Sequence, residues 1–149
     1  MNEIRVSFKK ENFNDLYLRH FENENRFLVF YGGAGSGKSV YIAQLYLYLC
    51  LKEDYFRLLF CRKVARTIRN SQFQLFKDLI ERGKLSSLFL IKETSMEIQC
   101  LNGNSMIAVG MDDTEKIKSI QEPSHIWCEE ATEFDKIDIM QLNLRLRTK

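Results

Sequence analysis

The chain has 149 residues, 45% of them hydrophobic and 28% charged, enough for one domain with a real core and too few for two comfortable ones. Its formal net charge of +2 neither demands nor excludes a polyanionic partner, because a basic face is compatible with a near-neutral total. The start, MNEIRVSFKKENF, has no apolar stretch leading to a small-residue cleavage site, and no apolar run reaches membrane-spanning length, so the expectation is a cytoplasmic protein without a membrane role.

Residues 13–21 (FNDLYLRHF) read as a short amphipathic turn or helix. Residues 27–31 (FLVFY) are a short apolar, aromatic run of the kind expected for a buried strand. Residues 36–51 have helical length, with Ile42, Leu45 and Leu49 on one stripe. Residues 57–62 (RLLFCR) are a second buried-strand candidate. A helix follows over residues 64–82, carrying Ile68, Phe73, Phe76 and Ile80 at a roughly helical period and stopping at Gly83. Residues 95–110 predict a hairpin, with SMEIQC and SMIAVG flanking LNGN, where Asn102-Gly103 is a strong two-residue turn signal. Residues 124–128 (SHIWC) form another buried strand running into Glu129-Glu130, and residues 135–147 read as helix.

Strands alternating with helices predict an α/β domain with a mostly parallel central sheet flanked by helices, plus the hairpin. Residues 1–149 are expected to be a single domain. The last helical pattern stops without a cap or breaker, and about four strands plus a hairpin fall short of an average sheet. The chain therefore reads as the front part of a longer fold, or as a minimal or truncated version of it. Cys50, Cys61, Cys100 and Cys128 form no CxxC pair and are expected to be buried or half-buried thiols.

The strongest motif is Gly32-Gly33-Ala34-Gly35-Ser36-Gly37-Lys38-Ser39, which fits G-x-x-x-x-G-K-[ST] in full. Glycines let the backbone take positive φ angles and turn N–H groups inward around phosphate oxygens. A helix starting near Gly37 adds its positive dipole end. Lys38 is the mobile charge for the β- and γ-phosphates, and the Ser39 hydroxyl is a ligand for Mg²⁺. With the following Val40, these residues are the expected ATP-binding set. A plain glycine-rich strand-to-helix turn with an incidental lysine would also place glycines here, but not all motif positions in register.

Hydrolysis needs a second, acidic element. HIWCEE supplies an apolar strand ending in two carboxylates: Glu129 for the metal, and Glu130 as the base that orients and deprotonates water. A helix start with acids in its first turn satisfies the same residues, and both readings hold together.

With these two motifs placed, the chain resembles the N-terminal ATPase part of a phage large terminase of the PBSX-like type. The resemblance runs from FNDLYLRHF and FLVFYGGAGSGKS through FCRKVARTIRNS, the NGN hairpin and GMDDTEKIKSI to HIWCEEATEF and LNLRLRTK. It implies a P-loop ATPase fold and a motor that hydrolyses ATP with Mg²⁺ to drive double-stranded DNA into a procapsid. It further implies a small terminase subunit and a portal protein as partners, a homo-oligomeric ring, and the bacterial host cytoplasm as location. Glu129 stands where many P-loop ATPases carry aspartate. The family's nuclease would lie after Lys149, so this chain is not expected to cut DNA.

The resemblance also places Arg62 and Lys63, and Arg66 and Arg69 beyond them, near the nucleotide or a neighbouring subunit, with Arg62 as the catalytic arginine. Arg66 and Arg69 fit equally well as solvated helix residues, and Lys118 equally well as a contact to phosphate or DNA and as a solvated loop residue. Arg145 and Arg147 fall about 200° apart on a helix and cannot share a face. Trp127 is expected in the core, while His20 and His125 carry no assigned chemistry. Two other readings stay open: a different P-loop ATPase, helicase-like, and a truncated prophage remnant that binds nucleotide without turnover. A small-molecule kinase is disfavoured by the short acidic MDDTE segment after Gly110.

Overall fold

The computed structural model describes residues 6–146. After α1 (Asp15–Leu18), the chain runs through α2 (Lys38–Lys52), β1 (Arg57–Arg62), α3 (Gln74–Arg82), β2 (Phe89–Lys92), β3 (Glu97–Cys100), β4 (Ser105–Gly110), α4 (Thr114–Ser119), β5 (His125–Cys128) and α5 (Lys136–Arg145). One five-stranded sheet holds them in the order β2-β3-β4-β1-β5. The β4, β1 and β5 strands are parallel, with Phe60 opposite Ala108 on one side and Trp127 on the other. The β2, β3 and β4 strands are antiparallel, so the expected hairpin exists, with residues 101–104 between its strands rather than a two-residue turn, and its second strand is also part of the parallel core. The β2 strand is an addition to the expected elements: FLIK is too short to separate from its neighbours by periodicity.

Alternation along β1 divides the core. Leu58 and Phe60 pack with Ala43, Leu47, Phe73, Phe76 and Trp127 against α2 and α3. Leu59 and Cys61 pack on the other face with Ile117 of α4 and Leu142 of α5. Helices therefore cover both faces of the parallel strands, which is why RLLFCR reads as a continuous apolar run rather than an alternating one. Trp127 lies in the core as expected. Cys50, Cys61 and Cys100 are buried and Cys128 half-buried, all as free thiols. Burial pushes the thiols of the facing pair Cys61 and Cys128 up, Cys128 to about 12.

The α2 stripe differs from expectation. The fully buried residues are Tyr41, Ala43, Leu47 and Cys50, whereas Ile42, Leu45 and Leu49 are half-buried. This helix is enclosed on two sides, by the sheet and by Phe13 and Tyr17, which cluster on its Tyr41. A helix with two buried faces has no single stripe to read.

The segment 27–31 also differs. It is not a strand: Phe27, Val29 and Tyr31 are exposed, and only Phe30 turns inward, against Tyr17 and Tyr41. Its residues have no ladder partner among the described residues, and the sheet ends at β5. The expected helix over residues 64–82 is broken into a 3₁₀ turn (Ala65–Thr67), a π turn (Arg69–Phe73) and α3. It ends at Gly83 as expected, although the left-handed residue is Lys84.

Two close approaches hold the frame. A Cβ at Gly110 would meet Ala65 N at 2.4 Å, so only glycine lets the end of β4 pass under the turn after β1. Asn104, buried in the hairpin turn, donates to Cys50 O (2.9 Å) and Glu53 O (2.7 Å) and accepts from Phe56 N (2.8 Å). One amide thus ties the end of α2 and the start of β1 to the hairpin.

Candidate functional site

The motif loop enters α2 as expected. Gly35 and Gly37 take φ of 77° and 81°, a region costly for residues with a Cβ. No side chain caps the helix at Gly37, so the first N–H groups of a 15-residue helix stay available to an anion. Tyr17 OH donates to Ser36 O at 3.1 Å, anchoring the loop from below. Lys38 Nζ folds back over the loop to Gly32 O (2.8 Å), Gly33 O (3.0 Å) and Ser36 Oγ (2.9 Å). Val40, on the first turn of α2, is exposed.

Ser39 Oγ donates to Glu129 Oε1 at 2.6 Å, a charge-assisted bond between residues 90 positions apart. The two residues named as metal ligands thus meet, and both offer the hard oxygen donors that Mg²⁺ takes. Glu129 Oε2 is buried without a partner among the described residues. The β5 backbone explains the approach: Glu129 N donates to Cys61 O at 3.0 Å, holding the strand end against β1. The next residue, Glu130, leaves the strand in the left-handed region (φ 54°, ψ 52°) with an exposed side chain. A non-glycine residue there costs about 1 kcal/mol, and such strain gathers at functional sites.

The basic residues separate. Arg62, at the end of β1 beside Glu129, is half-buried, and its Nε is buried without a partner among the described residues. Lys63 instead pairs with Asp135 (3.0 Å) and Asp138, the N-terminal capping box of α5. Its ammonium pKa is raised by the bond to Asp138 and then by Asp135. The Asp135 carboxyl is held low by the Asp138 backbone N–H and then by Lys63. Arg66 is exposed, and Arg69 pairs with Glu93 at 3.5 Å. Lys118 pairs with Glu115 at 3.0 Å, and Arg145 donates to Lys118 O at 3.2 Å. Arg147 lies outside the described residues. Of these residues, Arg62 is the one at the strand end beside Glu129. A cleft of about 790 Å³ between α4 and α5, lined by Thr114, Lys118, Leu144 and Arg145, contains none of the loop or carboxylate residues.

Sequence reasoning missed Gln72. It is fully buried in the π turn, and its Nε2 lies 3.4 Å from Trp127 O. The signal was present: Gln72 falls between Ile68 and Phe76 at four-residue spacing, a polar residue on an apolar stripe.

Residues 24–149 match the model of the family described as phage terminase large subunit. The chain belongs to that family. It is 35% identical to the PBSX phage terminase large subunit of Bacillus subtilis (strain 168), over 88% of this chain and 30% of that protein. It is 29% identical to the terminase large subunit of Bacillus phage SPP1, over 90% of this chain and 33% of that one. It therefore spans about a third of the length of these terminase relatives. In structure it is similar to the large terminase from a thermophilic bacteriophage, with a TM-score of 0.63, 13% identity, and coverage of 79% of this chain and 30% of that one. That likeness bears on the fold, which agrees with the expected P-loop α/β architecture.

Proposed function

We propose that this terminase chain is an ATP-hydrolysing motor domain that couples turnover to the translocation of double-stranded DNA. The observation that carries the proposal is the 2.6 Å bond between Ser39 and Glu129. It brings the serine of the glycine-lysine-serine loop to the acidic end of a parallel strand, where α/β sheets bind ligands. In this reading the loop N–H groups and the start of α2 hold the phosphates, and Lys38 leaves its carbonyl acceptors to neutralise them. Ser39 and Glu129 hold Mg²⁺, which when bound withdraws charge from the phosphate oxygens. Glu130, turned off the strand and exposed, orients and deprotonates the attacking water. Arg62 faces the phosphates from the neighbouring strand.

DNA grip is through backbone phosphates, so it is sequence-tolerant and falls steeply with salt. A small terminase subunit, a portal protein and further copies of the chain in a ring complete the machine, in the bacterial host cytoplasm. Among the described residues no helix is long and apolar enough to cross a membrane.

The test is ATP hydrolysis with and without duplex DNA at two salt concentrations, for the parent chain, Glu130→Gln and Lys38→Ala. Turnover stimulated by DNA at low salt and lost in both variants supports the reading, with Glu130→Gln still binding nucleotide and Lys38→Ala not. Normal turnover by Glu130→Gln would move the base to another acid, with Glu129 and Glu133 tested next. Failure of the parent chain to bind nucleotide would sink the reading.

A further inference from the structure

Four buried side-chain polar atoms lack a hydrogen-bond partner among the described residues: Tyr41 OH, Arg62 Nε, Gln72 Oε1 and Glu129 Oε2. The last three converge on one place. Phe60 and Trp127 are register partners on β1 and β5, and both face α2 and α3. Arg62 and Glu129 lie two residues further along, so strand alternation puts them on that same face, side by side, about 7 Å beyond the aromatic pair. The Ser39 bond from the start of α2 confirms that orientation for Glu129. Gln72 approaches from above, with its Nε2 at Trp127 O. The π turn makes this possible. Phe73 N bonds to Ile68 O at 3.1 Å, five residues back. The extra residue lets Phe73 stack on Phe60, at 6.4 Å and 7° between rings, while Gln72 also faces the sheet. π turns of this kind recur at functional sites.

We propose that Gln72 is a positioning residue for recognition of the terminal phosphate. Its Oε1 is the acceptor for Arg62 Nε, directly or through one buried water, in the nucleotide-bound form. That bond holds the guanidinium beside Glu129 with its outer nitrogens toward the γ-phosphate. The inference rests on the nucleotide reading of the 32–39 loop and adds to it a residue that touches neither phosphate nor metal. A buried carboxamide with one end anchored and the other unpaired stays in a core when its free end has a working partner. Arg62 Nε is the unpaired buried donor on the adjoining strand end.

The experiment measures binding of a non-hydrolysable ATP analogue and of ADP, each with Mg²⁺, by calorimetry. The proteins are the parent chain, Gln72→Leu, Gln72→Glu, Arg62→Lys, Arg62→Ala and the Gln72→Leu/Arg62→Ala pair. Gln72→Leu is expected to weaken the analogue about tenfold and leave ADP within about twofold, the scale of one hydrogen bond to a charged group. Arg62→Lys, which keeps the charge and loses the Nε donor, should do the same without disturbing the core. Gln72→Glu, which keeps an acceptor, should retain most of the preference for the analogue. In the Arg62→Ala background, Gln72→Leu should add nothing. Equal weakening of both nucleotides, or additive losses in the double variant, would show that Gln72 only packs, and would overturn the inference. A parent chain that binds neither nucleotide would instead overturn the nucleotide reading itself. If Gln72→Leu does not fold, Arg62→Lys and Gln72→Glu decide.

Discussion

Two short apolar runs lead into the two halves of the candidate site, and they fold differently. HIWC becomes β5, paired along its length with β1, with Trp127 buried on one face and Ile126 and Cys128 packed on the other. FLVFY, at residues 27–31, joins no ladder among the described residues, with Val29 80% and Tyr31 91% exposed. By composition FLVFY is the better strand former, since it is wholly β-branched, aromatic or leucine. What separates them is what each run packs against. β5 meets an edge of β1 whose N–H and C=O groups need pairing and whose side chains offer apolar surface on both faces. Residues 27–31 meet Tyr17 of α1 and Tyr41 of α2 on one side, enough to cover Phe30 in part and nothing else. Strand propensity thus measures fitness for a sheet environment rather than the presence of one.

The largest expected effect tests the paired side of that contrast. Trp127→Ala should cost about 3–5 kcal/mol in denaturant unfolding, because it empties a fully packed site between β5, Phe76 and Tyr46. A cost below about 1 kcal/mol would mean that β5 gains little from its core face, and the comparison would fall. Next comes the anchorage of β1, on which β5 depends. Asn104→Ala removes the bonds to Phe56 N, Cys50 O and Glu53 O and should cost about 2–3 kcal/mol, from buried backbone groups left unpaired. The same unfolding measurement reads it, and a neutral result would show that the hairpin is held by packing alone.

A smaller effect separates the segments by pH. His125 opens β5 with its ring 4.8 Å from Phe56 and 5.8 Å from Tyr46, and burial lowers its pKa below 6.5, opposed by Glu53. The folded state therefore prefers the neutral ring, so the unfolded chain binds the proton more readily. Its contribution to stability is complete above the ordinary histidine pKa and is lost as pH falls from there through the folded value. Melting temperature should drop between pH 7.5 and 5, and His125→Gln should flatten that drop. An unchanged slope would place the acid sensitivity elsewhere.

Much of this was legible because the decisive signals are local. The 32–39 loop carries its chemistry in residue type and order, and RLLFCR and HIWC reveal burial on both faces by lacking alternation. The NGN turn fixes where β3 ends and β4 begins. Other features escaped for a common reason. The fate of residues 27–31, the two-sided burial of α2, the pairing of Lys63 with the α5 cap and the role of Gln72 all depend on what lies across space. Lys63 illustrates it: adjacent to Arg62 in sequence, it leaves the strand end for Asp135 and Asp138, 72 and 75 positions away. Gln72 was within reach, since a glutamine on an apolar stripe asks what it bonds to. Only the contact with Trp127 across space, which the π turn permits, answers.

The smallest effect probes the unpaired run itself. Val29→Ser and Tyr31→Ser should each change stability by less than about 0.5 kcal/mol, as expected for exposed side chains away from packing, caps or ion pairs. Phe30→Ala, one residue from either, should cost about 1–2 kcal/mol, because its ring sits 5.9 Å from both Tyr17 and Tyr41 and aromatic pairs add to the burial. That alternation between neighbours is the signature of a segment supported on one face only. If Val29→Ser instead cost as much as Phe30→Ala, residues 27–31 would be buried on both faces in solution. A second layer would then be covering them, and the difference from β5 would disappear.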